Sequence, residues 1–392
     1  MSTTTLTPIP AQTLRGTDLQ TVVGLLQDNR SRTLDVVMKT NEIRSENGYL
    51  VIDQGPILSE DGVTTGAMPH TTADIVDQQL GSLFEIPVGY VRRMRAKKVT
   101  LLDQNINAWA GDAEGTVLLR ILQGTDVNHP GSVGLVRAIL SSKFSLNHDH
   151  LDTVMSFLTG LRSAGLDGNN ITGIDLSPER LYISVDVPQI AIDAKELVKN
   201  YRSPFSGQTG DELPMMNAGL VFTNSEVGRG AFSILPKATL QVCTNGLTRA
   251  VDGFRKIHIG GRLEEGTVSW SADTQKAANQ FVQAQVKDAV ASFLSEGYLE
   301  NLRDDLLRDA GVEVTDVVKT IEVVTKKQQY SAAESEMILA DFIKGGQVTS
   351  GGILNAVTSV AQRIEDPDRA FEFGLSAIPA MKVAAQYAMA NA

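Results

Sequence analysis

One cysteine in 392 residues, Cys243, excludes internal disulfides and any multi-cysteine zinc or iron–sulfur site, and it suits a reducing compartment. No apolar run approaches the roughly 20 residues that cross a bilayer. The opening MSTTTLTPIPAQT has neither a basic nor an apolar leader region, so a cytoplasmic location and no membrane partner are expected. Aromatics make up 5% of the chain and histidines number five, a thin inventory for stacking and for acid–base chemistry. The phosphate loop GxxxxGKS/T, the strand–GxGxxG–helix fingerprint, HExxH, the GxSxG elbow and the calcium loop are all missing. ATP-driven strand exchange or unwinding is therefore disfavoured, and no cofactor, metal or catalytic residue is expected.

Two smaller groups were weighed for chemistry. His148, Asp149 and His150 supply two imidazoles and a carboxylate, but alternate residues share a face in extended chain and a third strong ligand must come from elsewhere, so solvated histidines are expected. Cys243 closes the apolar run ATLQVC, where a buried inert thiol is the default, and a Cys243–His258 nucleophile pair has no demonstrated low-pKa environment.

What is present is an ordinary globular composition, 42% hydrophobic and 21% charged, in a length that suits two or three domains. Residues 1–15 read as a polar, disordered tail. In 16–110, TLDVVMK (33–39) and GYLVID (48–53) read as a hairpin. A helix pair follows in which Thr72 caps the first helix, Gly81 ends it and Pro87 opens the second, a helix-turn-helix-like layout. From 111 to 271 strand-like runs dominate, with one helix near Leu151–Ala164, which predicts an α+β fold with a largely antiparallel sheet. Helical periodicity then governs 272–392, in Asp273–Leu307, Ala332–Ile343, Ile353–Ile364 and Ala370–Met389.

Charge is unevenly placed. The net is −11, and residues 263–392 hold 19 acidic against 11 basic side chains. Inside this acidic chain, residues 229–262 carry Arg229, Lys237, Arg249, Arg255, Lys256 and Arg262 against the single acid Asp252. Phe254 and His258 interleave planar rings, and Asn245-Gly246 marks a turn. A second basic run, Arg92, Arg93, Arg95, Lys97 and Lys98, ends the second helix of the pair. Phosphate contact plus stacking is the chemistry of single-strand binding. The competing reading is cations paired with the chain's own carboxylates, or a wet helix end.

The blocks LFEIPVGYVRRM, NINAWA, AILSSKFSLNHDHL, VCTNGL and KIHIGG occur in that order, and together they resemble the phage/plasmid-like protein family, a domain of unknown function. The resemblance covers roughly residues 75–275, with NAVTSVAQ at 355–362 less clearly part of it, and it includes the serine–basic–aromatic block Ser142-Lys143-Phe144. Members of the family usually carry Tyr where Phe144 stands, so no role needing a phenol is expected there. The resemblance implies a mobile-element origin, a host-cytoplasm location and a distant relation to single-strand annealing proteins of the RecT and Red-beta kind.

The expectation is thus an ATP-independent single-stranded-DNA-binding and annealing protein, a homo-oligomer, with Arg92, Arg93, Arg95, Lys143, Phe144, Arg229, Lys237, Asn245, Arg249, Phe254, Arg255, Lys256, His258 and Arg262 at the nucleic acid. Two alternatives stand beside it. One is a phage structural or host-interaction protein that binds a partner through its acidic helical region. The other is a duplex DNA binder using the 72–95 helix pair.

Overall fold

The computed structural model describes residues 13–53, 57–59, 62–64, 67–124, 133–144, 149–242, 245–248, 253–256, 266–267 and 271–391. Strand β1 (Leu14–Thr17) leads into α1 (Leu19–Arg32), whose open first turn is closed by the Asp18 carboxylate accepting from the Thr21 amide at 2.9 Å. Strands β2 (Thr33–Lys39), β3 (Arg44–Glu46), β4 (Tyr49–Asp53), β5 (Ile57–Ser59), β6 (Gly62–Thr64) and β7 (Ala67–Thr72) follow. Three helices come next, α2 (Asp74–Leu83), α3 (Val88–Lys97) and α4 (Val99–Gly111). After β8 (Thr116–Leu122) and β9 (Leu135–Ser141), helix α5 (His150–Ser163) precedes β10 (Ile171–Leu176), β11 (Leu181–Asp193), β12 (Met215–Asn224) and β13 (Phe232–Leu240). Three short strands close this part, β14 (Asn245–Thr248), β15 (Phe254–Lys256) and β16 (Gly266–Thr267).

The remainder is helical: α6 (Ala272–Phe293), α7 (Glu296–Ala310), α8 (Val317–Gln328), α9 (Ala332–Gly345), α10 (Ser350–Ala361), α11 (Pro367–Leu375) and α12 (Ala377–Ala390). Side-chain caps set several of their starts. Ser271, Ser295, Asp316, Ser331 and Asp366 each accept a backbone N–H three residues on, and Glu334 completes a capping box with Ser331. The Ser295 cap is also why the apolar periodicity across 273–307 resolves into two helices. Among the described residues no helix is long and apolar enough to cross a membrane.

The strands form two large sheets, so the fold is α+β. The first has the order β1-β10-β11-β12-β13-β14, with β15 also on β13, and is antiparallel throughout. The second has the order β16-β2-β8-β9-β7-β4-β3 and includes a parallel pairing of β7 with β9. Strands β5 and β6 pair with each other. One apolar cluster joins Phe157 of α5, Ile183, Leu220 and Phe222 of the first sheet, and Val286, Leu302, Ile338, Val357 and Ala384 of the C-terminal helices. A second joins Val37, Leu50, Leu119 and Val136 of the second sheet to Val76, Leu80, Val91, Met94, Leu102 and Ile106 of α2–α4.

Several sequence expectations are corrected. The 33–39 and 48–53 strands do not form a hairpin, because β2 pairs with β8 and β16 whereas β4 pairs with β3 and β7. Strands β8 and β9, grouped from sequence with the later strands, complete the sheet begun by β2, and the C-terminal helices share the first sheet's core. Thr72 ends β7 rather than capping α2, whose N-cap is Ala73. Helix α2 continues past Gly81 to Leu83; Gly81 serves the corner, since a Cβ there would lie 2.7 Å from the Ile86 carbonyl oxygen. Asn245 and Gly246 do not form a turn but open β14 opposite Leu240 and Thr239. Of the expected tail, 1–12 fall outside the described residues and Leu14–Arg15 belong to β1.

The outer face of the first sheet has a feature that a hydropathy pattern does not show. In register across four strands stand Asp186, Gly219, Lys237 and Thr248. Glycine between the two charges lets Lys237 Nζ reach across β12 to Asp186 at 3.3 Å. A Cβ at Gly219 would lie 2.4 Å from the Val185 carbonyl oxygen and 2.6 Å from Asp186 Oδ1. Gly219→Ala is expected to lower unfolding stability by about 1–3 kcal/mol through overpacking, as read from a urea melt. An unchanged midpoint would contradict this packing.

Candidate functional site

Helix α3 buries Val91 and Met94 and turns its other sides outward. Tyr90, Arg93 and Lys97 recur at helical spacing on one outward stripe, with Arg92 beside it and Lys98 at the helix end. Arg92, Arg93, Lys97 and Lys98 are exposed, and the described residues offer them no ion pair or side-chain hydrogen bond. Tyr90 is 43% exposed. Arg95, on the same helix, is structural instead: its guanidinium donates to Asp77 Oδ1 at 2.8 Å and to the Gly48 carbonyl at 2.7 Å, tying α3 to α2 and to the turn between β3 and β4.

Two of the cations expected in the 229–262 groove are paired within the first sheet. Arg229 donates to Glu179 Oε2 at 2.7 Å, and Lys237 is held by Asp186, so both cations serve the first sheet while α3 packs in the second core. Asn245 lies in β14, and Phe254, Arg255 and Lys256 form β15 opposite Ile234, Ser233 and Phe232. Arg249, His258 and Arg262 lie outside the described residues, as do Cys243 and His148. Lys143 is exposed, and Phe144 packs against the second core.

Sequence reading missed the most elaborate charged cluster, which sits where the two sheets meet. Arg120 of β8 is 1% exposed. Its Nε and Nη2 donate to Asp35 Oδ1 and Oδ2 of neighbouring β2, both at 2.9 Å, and Nη2 also donates to Asp149 Oδ1 at 2.8 Å. Glu226, just beyond β12 of the other sheet, accepts from Arg137 Nη1 at 2.7 Å and from the His150 backbone N–H at 2.6 Å. The His150 ring nitrogen Nδ1 in turn lies 3.1 Å from Asn224 Nδ2. A cavity of 410 Å³ adjoins the cluster, with Arg137 and His150 in its wall. The signal was present in the sequence as a lone acid in TLDVVMK and a lone base in TVLLRIL, each stranded in an apolar run.

Two guanidiniums and the His150 imidazole face three carboxylates here. Burial pushes the Asp149 carboxyl up to about 6, with Arg120 opposing and Glu226 and Asp35 reinforcing the rise. Burial alone would also raise Glu226, but His150, Arg137 and Arg120 hold it well below the usual carboxylate range. His70, buried and accepting the Gly134 N–H at Nδ1, is pushed down to about 4 and stays neutral at pH 7.

Comparison with family models, with curated proteins and with solved structures finds no match.

Two outcomes follow from the junction. A raised acid binds its proton more tightly in the folded chain, so the Asp149 contribution to stability grows as pH falls from above 6 toward 3.8, while the Glu226 contribution is lost below about 4.5. The melting temperature should therefore rise between pH 7.5 and about 5.5, and Asp149→Asn should flatten that rise; an identical slope in the variant would contradict the assignment. Arg120→Met leaves its carboxylates unpaired and should cost about 3–5 kcal/mol in a denaturant titration. A loss under about 1 kcal/mol would show that the cluster is not a buried ionic network.

Proposed function

We propose that the chain binds single-stranded nucleic acid through the outward face of α3 and anneals strands without ATP. The observation that carries the proposal is the set of exposed cations Arg92, Arg93, Lys97 and Lys98, unpaired among the described residues, in a chain of net charge −11, where neighbouring cations such as Arg95 are spent on carboxylates. Unpaired cations at one helix end are free to replace the counterions of phosphate. Tyr90 on the same stripe supplies a ring on which a base can stack. The resemblance to phage/plasmid-like proteins and their annealing relatives points the same way. A few contacts per protomer bind weakly, so copies lined along a strand would multiply them.

A duplex-reading alternative has one observation in its favour. Helices α2 and α3 meet at a corner built by Gly81, Glu85 in the left-handed conformation (φ 57°) and Pro87, which leaves α3 projecting its basic face.

Fluorescence anisotropy with a labelled oligonucleotide separates these readings. Single strands should bind at low salt. At about 0.7 in log–log slope per contact, four phosphate contacts make a fourfold rise in salt cost roughly fiftyfold in affinity. Arg92→Glu with Arg93→Glu should remove binding and leave the melting temperature unchanged. Preference for duplex selects the helix pair as a groove reader, whereas no binding of any oligonucleotide at low salt overturns the proposal and favours a protein partner for the acidic helical region.

A further inference from the structure

A groove of 660 Å³ lies between the outer face of the first sheet and helices α10 and α11, away from α3. Its floor follows from strand alternation. Ile183, Val185, Leu220, Phe222, Ile234 and Ala238 point into the apolar core, so their neighbours point the other way. The outward Ser184 and Thr239, with Thr172, Asn217, Gln241 and Thr248, make a floor of hydroxyls and amides, beside which Tyr182, Pro188 and Val221 also line the groove. The roof carries the small residues Ala361, Ala370 and Gly374 together with Phe371, whose ring centroid lies 4.6 Å from that of Tyr182.

Charge in the groove is cancelled locally. Arg15 pairs with Asp175 at 3.5 Å and Lys237 with Asp186 at 3.3 Å. A charged ligand would thus lose hydration and meet no net countercharge. Polar capacity is left over. Asn217 is only 8% exposed; its Oδ1 accepts from Gln241 Nε2 at 3.1 Å, and its own amide nitrogen has no partner among the described residues. Asn217 lines the groove, so this donor can serve a ligand hydroxyl there. Asp186 accepts from Thr239 Oγ1 at 2.9 Å, which fixes the carboxylate and the hydroxyl as one edge.

We propose that this groove binds a neutral, polyhydroxylated small molecule through vicinal hydroxyl groups, held by the Asn217 and Gln241 amides and the Asp186–Thr239 edge. Adjacent hydroxyls offer paired donors and acceptors, which amides and a carboxylate match, and the volume lies within the roughly 300–1,000 Å³ range of small-molecule sites. Two sources share this chemistry, a free sugar and the ribose of a nucleoside.

The test is calorimetric titration of the full chain with glucose, galactose, ribose, adenosine and uridine to about 20 mM, enough to detect millimolar binding, with cyclohexanol as a ring lacking vicinal hydroxyls. At least one diol-bearing compound is expected to saturate, and Asn217→Leu and Gln241→Leu should each weaken it about tenfold or more. A monosaccharide preference identifies a free sugar, and a nucleoside preference over ribose identifies the nucleoside. If Asn217→Leu fails to fold, Gln241→Leu at the half-buried edge decides. No binding by any diol compound, equal binding of cyclohexanol, or affinity unchanged within about twofold in a folded variant would overturn the proposal. Oligonucleotide binding by α3 is read separately, because Arg92 and Arg93 are untouched in both variants.

Discussion

The Arg120 guanidinium is the point on which the two sheets depend. It is almost wholly buried, it cannot lose its proton, and it forks onto Asp35 while reaching Asp149 at the head of α5. Through Asp149 and His150 the same cluster meets Glu226, which extends from the first sheet into the space of the second. A buried charge of this kind tolerates little displacement, because every lost contact leaves an ion in a medium that cannot solvate it. The second sheet, α5 and the end of β12 are therefore fixed relative to one another by a few short bonds as well as by apolar packing. The raised Asp149 carboxyl couples that join to protonation.

The same accounting of charge pairs explains which cations remain for function. Arg95, Arg137, Arg180, Arg229 and Lys237 each answer a carboxylate, several of them partly buried. The outward run on α3 differs from the paired set in exposure and not in residue type. A positive surface that survives in a strongly acidic chain is oriented by the rest of the molecule, since a polyanion is repelled elsewhere and drawn there. The uncharged groove on the first sheet works by a different principle, through hydrogen-bond groups whose partners lie only partly within the protein.

Legibility from sequence varied with the range of the interaction. Pro87 ahead of α3, the periodicity of α9 and α10 and the helix at 150–163 all correspond to elements, because each is decided within a few residues. Strand partners were not legible. TLDVVMK and GYLVID are close in sequence and look alike as strands, yet three other strands stand between them in the sheet. The basic stretch was read as an open groove because a sequence shows Arg229 and Lys237 without showing that Glu179 and Asp186 arrive from distant strands. Within the run on α3, Arg95 meets Asp77 and Gly48, whereas Arg92, Arg93, Lys97 and Lys98 meet no carboxylate among the described residues.

Photocrosslinking of the full chain to a halogenated single-stranded oligonucleotide, followed by peptide mapping, places the bound strand directly. Crosslinks should fall in the segment 88–98, with Tyr90 the modified residue. Crosslinks concentrated in the acidic C-terminal helices, or none above those of an unrelated acidic protein, would contradict a nucleic-acid role for the α3 face.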